Sequence, residues 1–484
     1  MHLLPIAFLI VSVIILIFFV IISLSFIGLF LSELGLWFSW IPLSFIIISV
    51  PYLVDYVGGI HPRWDFFILL ISALFNLISY IRLMLPFYQV SKTNRELRRV
   101  MTKSLGQDYL DYIDPTVRTK LFKRVRFRLS YYITGINYKK IDKQVISVND
   151  IPYHVIGDKT LNLNIYYPNK EQKNPVIVYV HGGGWMRGSK DRFLELRILK
   201  RLAYNGYTVF NIDYRLALQP TFATLNTIPH DNSTIREMVS DVRAAINFAK
   251  ENAEKYHGDP EKLFVFGRSA GAHLALLTAF SCHEAFFDFE NVYCNISPND
   301  ISGVIAFYPI TDFDDLYRFY EKSNLVLKQA IYRGTGKLIE DKNLFRIFSP
   351  ISYINSENVS QIPPIFLSAG KADRIVDTYQ SEELFEELQQ NGITSVYLEL
   401  PWANHAFDVV INGPGGQLTF QYMKQFMLWV LAKQKYAEIE QIAKENGLLD
   451  VLITNKTKIL TEMKCDRSNE EIKSCLIDLN KKSL

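Results

Sequence analysis

The feature that most constrains this chain is Gly267-Arg268-Ser269-Ala270-Gly271, set between an apolar strand candidate, Leu263–Phe266, and a helix of small residues carrying Ala272, Leu274, Ala275 and Leu276. A strand that turns this sharply into a helix forces its central residue into strained dihedrals, and small residues two positions before and after it let the turn close. The serine hydroxyl is then held above a sheet, over a helix N-terminus that favours negative charge. The bare pattern arises by chance in roughly one such chain in ten. Its strand–turn–helix setting makes it far more specific.

A turn of this kind needs a parallel sheet around it, and the sequence from residue 150 onward supplies one. Short β-rich runs at Leu161–Tyr167, Val176–Val180, Thr208–Ile212, Leu263–Phe266, Val304–Tyr308, Ile365–Ser368 and Ser395–Leu400 alternate with helical patterns at Asp191–Asn205, Ile235–Tyr256, Ala270–Phe280, Thr378–Asn391 and Leu418–Lys433. That alternation predicts an α/β fold, a mostly parallel sheet covered by helices on both faces. Gly206, Gly258 and Gly392 stand just past predicted helix ends, where a left-handed C-cap favours glycine. The aromatic, irregular stretch near 313–350 is too long for a plain loop and reads as a cap insertion.

Two further constellations fall at strand ends. His181-Gly182-Gly183-Gly184-Trp185 follows Val176–Val180, and a backbone free of side chains there lets the N–H groups of Gly183 and Gly184, with that of Ala270, converge on a developing oxyanion. In a doubly wound sheet both this run and Ser269 face one crevice. His405, in Pro401-Trp402-Ala403-Asn404-His405, is the only histidine after His283 and follows the last strand as a general base should. Asp373, just beyond Ile365–Ser368, is the acid expected to orient it, with Asp312, Asp314 and Asp315 as runners-up. The order Ser, Asp, His suits nucleophilic acyl transfer, with a buried aspartate fixing the tautomer that leaves Nε2 free to accept from the serine. His273 reads as packing for the nucleophile helix, His257 as a helix-end cap and His181 as a brace for the glycine loop. Asp241 and Arg243 read as surface charge, with a loop-bracing pair as the alternative. The four cysteines, Cys282, Cys294, Cys465 and Cys475, form no metal-ligand spacing, and no metal or organic cofactor is implied.

These motifs carry a resemblance. From about 150 to 434 the chain resembles α/β-hydrolase carboxylesterases of the hormone-sensitive-lipase and feruloyl-esterase-like groups, through HGGGW, NIDYRL (Asn211–Leu216), GDPEKLFVFGRSAGAHLALL (Gly258–Leu277), SPISYI (Ser349–Ile354), PPIFLSAGKADRIV and NHAF. The resemblance implies an α/β-hydrolase fold, cleavage of small acyl or lipid-like carboxylic esters through an acyl-enzyme, a Ser269–Asp373–His405 triad and oxyanion donors at Gly183 and Gly184. Arg268 departs from the small, acidic or amide residue often found before the serine. Membrane-anchored relatives include prenylcysteine methylesterase-like enzymes. An amidase or peptidase on the same triad is the alternative, and a non-catalytic binding module a more distant one.

The remaining sequence is of a different kind. Residues 1–32 (His2 aside), 34–54 and 66–81 carry no charged side chain, which predicts about three transmembrane helices near 5–29, 36–56 and 66–87 within a segment 1–90. Residues 91–149 follow as a basic collar. Between Ser91 and Lys143 its net charge is +9, against +3 for all 484 residues, so the rest of the chain is mildly acidic and a nucleic-acid partner is excluded. Such a collar marks the cytoplasmic flank of a membrane segment, and Leu121, Phe122, Val125 and Leu129 predict one amphipathic helix over Arg118–Tyr132. The expected organisation is completed by the catalytic unit over 150–434 and a helical or disordered tail over 435–484.

Overall fold

The computed structural model describes residues 3–24, 31–58, 63–122, 126–217, 233–288, 296–321, 342–355, 359–454 and 469–483. In chain order the strands are β1 (Val145–Ile156), β2 (Lys159–Pro168), β3 (Asn174–Val180), β4 (Thr208–Ile212), β5 (Gly258–Arg268), β6 (Gly303–Phe307), β7 (Ile365–Gly370) and β8 (Ser395–Leu400). The helices used below are α1 (Leu3–Leu24), α2 (Leu31–Phe38), α3 (Trp40–Gly58), α4 (Arg63–Leu105), α5 (Phe193–Tyr204), α6 (Ile235–Asn252), α7 (Ala270–Phe280), α8 (Phe313–Glu321), α9 (Lys342–Phe348), α10 (Tyr379–Gln390), α11 (Pro414–Glu445), α12 (Leu449–Thr454) and α13 (Asn469–Ser483).

Strands apolar at nearly every position need cover on both faces, and alternation divides them between two cores. Val176, Val178 and Val180 of β3, with Leu263 and Val265 of β5, face a core built with α6 and α7. Ile177, Tyr179, Phe264 and Phe266 face the other, built with α5 and α11. The sheet order is β1-β2-β4-β3-β5-β6-β7-β8, with β2 antiparallel to β1 and β4 and the other pairings parallel. All seven strands expected from the sequence are present. β1 was not foreseen. It starts inside the stretch read as collar, carries Pro152, and pairs with β2 through two register irregularities, so the edge strand lacks the apolar continuity that marks its neighbours.

Local expectations fare unevenly. Gly206 and Gly392 take positive φ (94° and 72°), as helix-end caps should. At Gly258 the left-handed residue is instead His257, φ 57°, and Gly258 is required because a Cβ there would sit 2.8 Å from Val176 Cγ2. Asp241 and Arg243 are not surface charges. Asp241 is buried and takes Arg215 of the NIDYRL run in a fork (Nη2–Oδ1 2.8 Å, Nε–Oδ2 3.0 Å), while Arg243 is buried against Asp288 (2.6 Å) and the Ser281 carbonyl. Of the single helix expected over Arg118–Tyr132, residues 123–125, Val125 among them, lie outside the described residues; Pro115–Phe122 and Leu129–Thr134 are helices on either side, and Arg128 is extended (φ −111°, ψ 105°). Between them, the Arg128 backbone exchanges two hydrogen bonds with the Gln417 side chain (2.9 and 3.1 Å), which holds it out of helical geometry. The expected spans reach residues 25–29, part of the cap lies at 322–341, and the N-x-S/T asparagines Asn232, Asn295, Asn358 and Asn455 and the cysteines Cys294 and Cys465 all stand outside the described residues.

The N-terminal helices correct the expectation of three spans. Among the described residues one helix, Trp64–Leu105, is long and apolar enough to cross a membrane; Leu3–Ile17 and Trp40–Asp55 are apolar but shorter. The third run is no separate span ending near residue 87 but the first half of α4, which continues for 43 residues through Pro86 into the basic stretch. Its two halves bury different things. In the first, Phe67, Ile71, Leu74 and Ile78 are exposed, while Asn76 donates to Ser12 Oγ of α1 (2.8 Å). In the second, Val90, Leu97, Met101 and Leu105 recur at helical spacing and pack into the core on the α11 side of the sheet, where the Tyr422 hydroxyl donates to Asn94 Oδ1 (2.8 Å). At the other end, α11 runs past residue 435, and Tyr436, Ile439 and Ala443 form a small core with Leu452 of α12 and Ile472 and Leu476 of α13.

Met101→Ala empties a fully buried site and is expected to lower stability by about 2–5 kcal/mol. Ile78→Ala on the exposed half of α4 should change it by no more than about 0.5 kcal/mol. Denaturant unfolding of the detergent-solubilised protein, followed by tryptophan fluorescence, checks both.

Candidate functional site

The turn from β5 into α7 closes because two glycines permit contacts that no side chain would. A Cβ on Gly267 would lie 2.2 Å from the Gly271 carbonyl oxygen, and one on Gly271 would lie 2.2 Å from that of Val180 and 2.4 Å from that of His181. Ser269 between them has φ 52° and ψ −123°, and its N–H is tied to the Phe307 carbonyl at 2.9 Å. Strain at a non-glycine residue persists only where the surroundings impose it. Here β3, β5 and β6 all do.

Ser269, Asp373 and His405 are brought together. His405 Nε2 lies 3.0 Å from Ser269 Oγ, and Nδ1 lies 2.7 Å from Asp373 Oδ2. The other oxygen, Asp373 Oδ1, accepts the N–H groups of Ile375 (2.8 Å) and Val376 (2.9 Å), so the carboxylate is fixed in orientation. The runners-up do something else: Asp312 Oδ1 accepts from the N–H groups of Asp314 (2.7 Å) and Asp315 (3.2 Å) at the start of α8, a helix-capping role.

The glycine loop lies beside the serine. Gly183 has φ 143°, Gly184 has φ 61°, and Trp185 is also left-handed at φ 60°. A Cβ on Gly183 would collide with the Arg187 carbonyl oxygen at 1.7 Å, and one on Gly182 would stand 2.8 Å from that of Arg268, whereas beside Gly184 the space is open. Among the described residues no hydrogen bond uses the N–H of Gly183 or Gly184, and Ala270, first residue of α7, has no intrahelical acceptor.

Two buried histidines brace this loop. Among the described residues His181 makes no hydrogen bond with Ser269; its Nδ1 lies 3.0 Å from the Gly182 carbonyl, its ring stacks on Tyr214 at 4.3 Å, and the Tyr214 hydroxyl donates to the His181 carbonyl (2.9 Å). His273 does more than pack α7. Its Nε2 must donate to the Phe348 carbonyl (2.8 Å), which leaves Nδ1 to accept from the Trp185 indole (3.2 Å), so it joins α7, the glycine loop and α9. Burial lowers both imidazoles to about 4.

Sequence reasoning missed what holds the His405 loop. Asn404 Oδ1 accepts the N–H groups of His405 (2.8 Å) and Arg374 (3.2 Å), stitching the His405 loop to the Asp373 loop. Tyr308, φ 42°, lies under the imidazole with ring centroids 4.4 Å apart, and its hydroxyl donates to Asp408 Oδ1 (2.6 Å). Burial, and then the Asp408 charge, keeps that phenol protonated far above its usual range. Arg268, the residue that departs from the resemblance, turns beneath the sheet and pairs with the same Asp408, so β5 and the His405 loop are clamped to each other. NHAF was the legible part of this loop; the aspartate three residues after His405 was the unread signal.

Strand order, elbow and loop placement are those of the α/β-hydrolase class, and the solved structures agree on the fold: inhibited Esterase B of Lactobacillus rhamnosis superposes with a TM-score of 0.50 over 64% of this chain and 97% of that one, at 23% identity. By sequence, residues 163–388 match the BD-FAE family model. Esterase LipQ of Mycobacterium tuberculosis is 30% identical over 54% of this chain and 57% of its own length, and a probable isoprenylcysteine alpha-carbonyl methylesterase of Oryza sativa subsp. japonica is 31% identical over 49% and 52%. The chain thus spans little more than half the length of these curated relatives.

Because His181 and His273 are neutral when folded and have lowered pKa values, the unfolded chain binds more protons than the native one between about 6.5 and about 4. Their contribution to stability is complete above that window and is lost as pH falls through it. His273→Gln is expected to remove about one proton from the slope of stability against pH in that window, read as the variant-minus-parent difference in urea unfolding free energy.

Proposed function

We propose that this chain is a membrane-attached serine esterase. The observation that carries the reading is the hydrogen-bonded line from Ser269 through His405 to Asp373, with the serine lifted on a strained elbow beside N–H groups that are free. Ser269 Oγ attacks the ester carbonyl carbon while His405 Nε2 takes its proton; Asp373 stays ionised and holds the Nδ1–H. The N–H groups of Gly183, Gly184 and Ala270 receive the negative charge of the tetrahedral oxygen, a contribution of about 3–4 kcal/mol per donor in comparable sites. Collapse expels the alcohol, which leaves with the proton from His405. Water then attacks the acyl-enzyme, His405 again taking the proton, and the acid departs.

The substrates read as carboxylic esters with small acyl or lipid-like groups. Two of the similar proteins are named for ester hydrolysis, one of them for the methyl ester of a prenylated cysteine. Attachment to a membrane is supported by the apolar half of α4 and by the exposed apolar side chains of α1 and α3, among them Ile10, Ile14, Ile47 and Ile48. The basic stretch that follows favours the cytoplasmic side for the catalytic body.

Ser269→Ala is expected to abolish turnover of p-nitrophenyl butyrate down to the residue left by binding and oxyanion donors, and Asp373→Asn to lower kcat about 10⁴-fold by favouring the wrong imidazole tautomer. Undiminished hydrolysis by Ser269→Ala would refute the assignment. The protein should also stay in the membrane pellet after alkaline carbonate extraction, and its release into the supernatant would refute integral attachment.

A further inference from the structure

Glu33 is the only charged residue among the first 54, apart from His2, and the structure puts it inside the hydrolase. It is carried by α2, between the two shorter apolar helices. Its Oε1 accepts the Trp402 indole N–H at 2.9 Å, and its Oε2 accepts the backbone N–H of Gly415 at 2.8 Å. The second bond lies at the first turn of α11, where N–H groups have no intrahelical acceptor and a carboxylate is favoured by the helix dipole.

The receiving site is shaped for this carboxylate. A Cβ on Gly413 would lie 2.2 Å from Glu33 Oε2, and one on Gly415 2.7 Å from Oε1, so the Gly413-Pro414-Gly415-Gly416 run leaves the volume that the side chain fills. On its own side α2 is pressed against the membrane helix: a Cβ on Gly35 would lie 1.9 Å from the Leu83 carbonyl oxygen of α4. Trp402 stands three residues before His405, on the loop whose far end Asp408 fixes through Tyr308 and Arg268. Glu33 therefore holds the near end of the loop that presents the imidazole.

We propose that Glu33 is a positioning residue for His405: by gripping Trp402 and the first turn of α11, it sets the catalytic loop from the N-terminal segment, which thereby serves the chemistry as well as attachment. This rests on the esterase reading above. Burial, the dominant influence, lifts the Glu33 carboxyl to about 7, with the Trp402 and Gly415 bonds opposing and the nearby Asp408 charge adding to it.

The test separates alignment from folding. Full-length protein in detergent is titrated with a p-nitrophenyl alkylphosphonate to count reactive serines, and kcat and KM for p-nitrophenyl butyrate are expressed per titrated site, with Tm alongside. Glu33→Ala is expected to lower kcat per site by about tenfold with KM within about twofold, because misplacement of a base costs the transition state and not ground-state binding. Glu33→Gln, which keeps one acceptor oxygen and the shape, should recover part of the loss. Trp402→Phe, which removes one donor and keeps an aromatic ring, should reproduce much of it, and it decides the matter if Glu33→Ala does not fold. Parent-like kcat per site in Glu33→Gln and Trp402→Phe, however far Tm falls, would overturn the positioning role alone. A parent protein that neither releases p-nitrophenol nor reacts with the phosphonate would overturn the esterase reading and this proposal with it.

Discussion

The contact of Gly271 with the backbone carbonyls of Val180 and His181 is the constraint from which the rest of the site follows. It brings the start of α7 against the end of β3, which puts Ser269 and the glycine loop on the same edge of the sheet. The adjacent parallel strands then deliver the Asp373 loop after β7 and the His405 loop after β8 to that edge, each tied by its own hydrogen bonds. A parallel sheet makes such convergence cheap because all its strand ends of one polarity lie together. Chemistry here is a consequence of where chain segments are forced to cross.

What was legible in the sequence tracks how local its cause is. Strands β2 to β8 could be read because strands buried on both faces are almost continuously apolar, and the elbow because its glycines are demanded within five residues. His405 could be singled out because it had no competitor after His283, and Asp373 because of its place after a strand end; His405 lies within hydrogen-bonding reach of both Asp373 and Ser269. The unread parts are long-range. Edge strand β1 has polar and apolar residues mixed, Asp408 acts on a tyrosine 100 positions away, and the Asp241 fork belongs to Arg215 rather than to neighbouring Arg243. Glu33 was visible as an isolated charge in an apolar desert, yet its acceptors' partners lie more than 360 residues downstream. No periodicity records such pairings.

The same contrast governs the N-terminal helices. Composition alone divides the chain near residue 90, since apolar runs end there and basic residues begin. Helix α4 ignores that division. What carries it past residue 90 is the recurrence of Val90, Leu97, Met101 and Leu105 on one face, which adds this half to the core on the α11 side of the sheet, and it stops at Gly106, whose φ of 99° suits a helix-end glycine. Lysines and arginines among them, such as Arg95 and Arg99, occupy the outward face of the same turns.

An unbroken helix of 43 residues is about 65 Å long at 1.5 Å per residue. It works as an axle rather than a tether. A flexible linker tolerates gain or loss of residues, but along a helix each one advances the body by that rise and turns it by about 100°. Between Leu83, where α2 is seated, and Val90, where the core begins, chain length is thus a phase angle. A single insertion there would turn Leu83, and with it the α2 seat of Glu33, away from the Trp402 loop without touching Ser269, Asp373 or His405, and drift in this stretch should be restricted to substitutions that preserve the count.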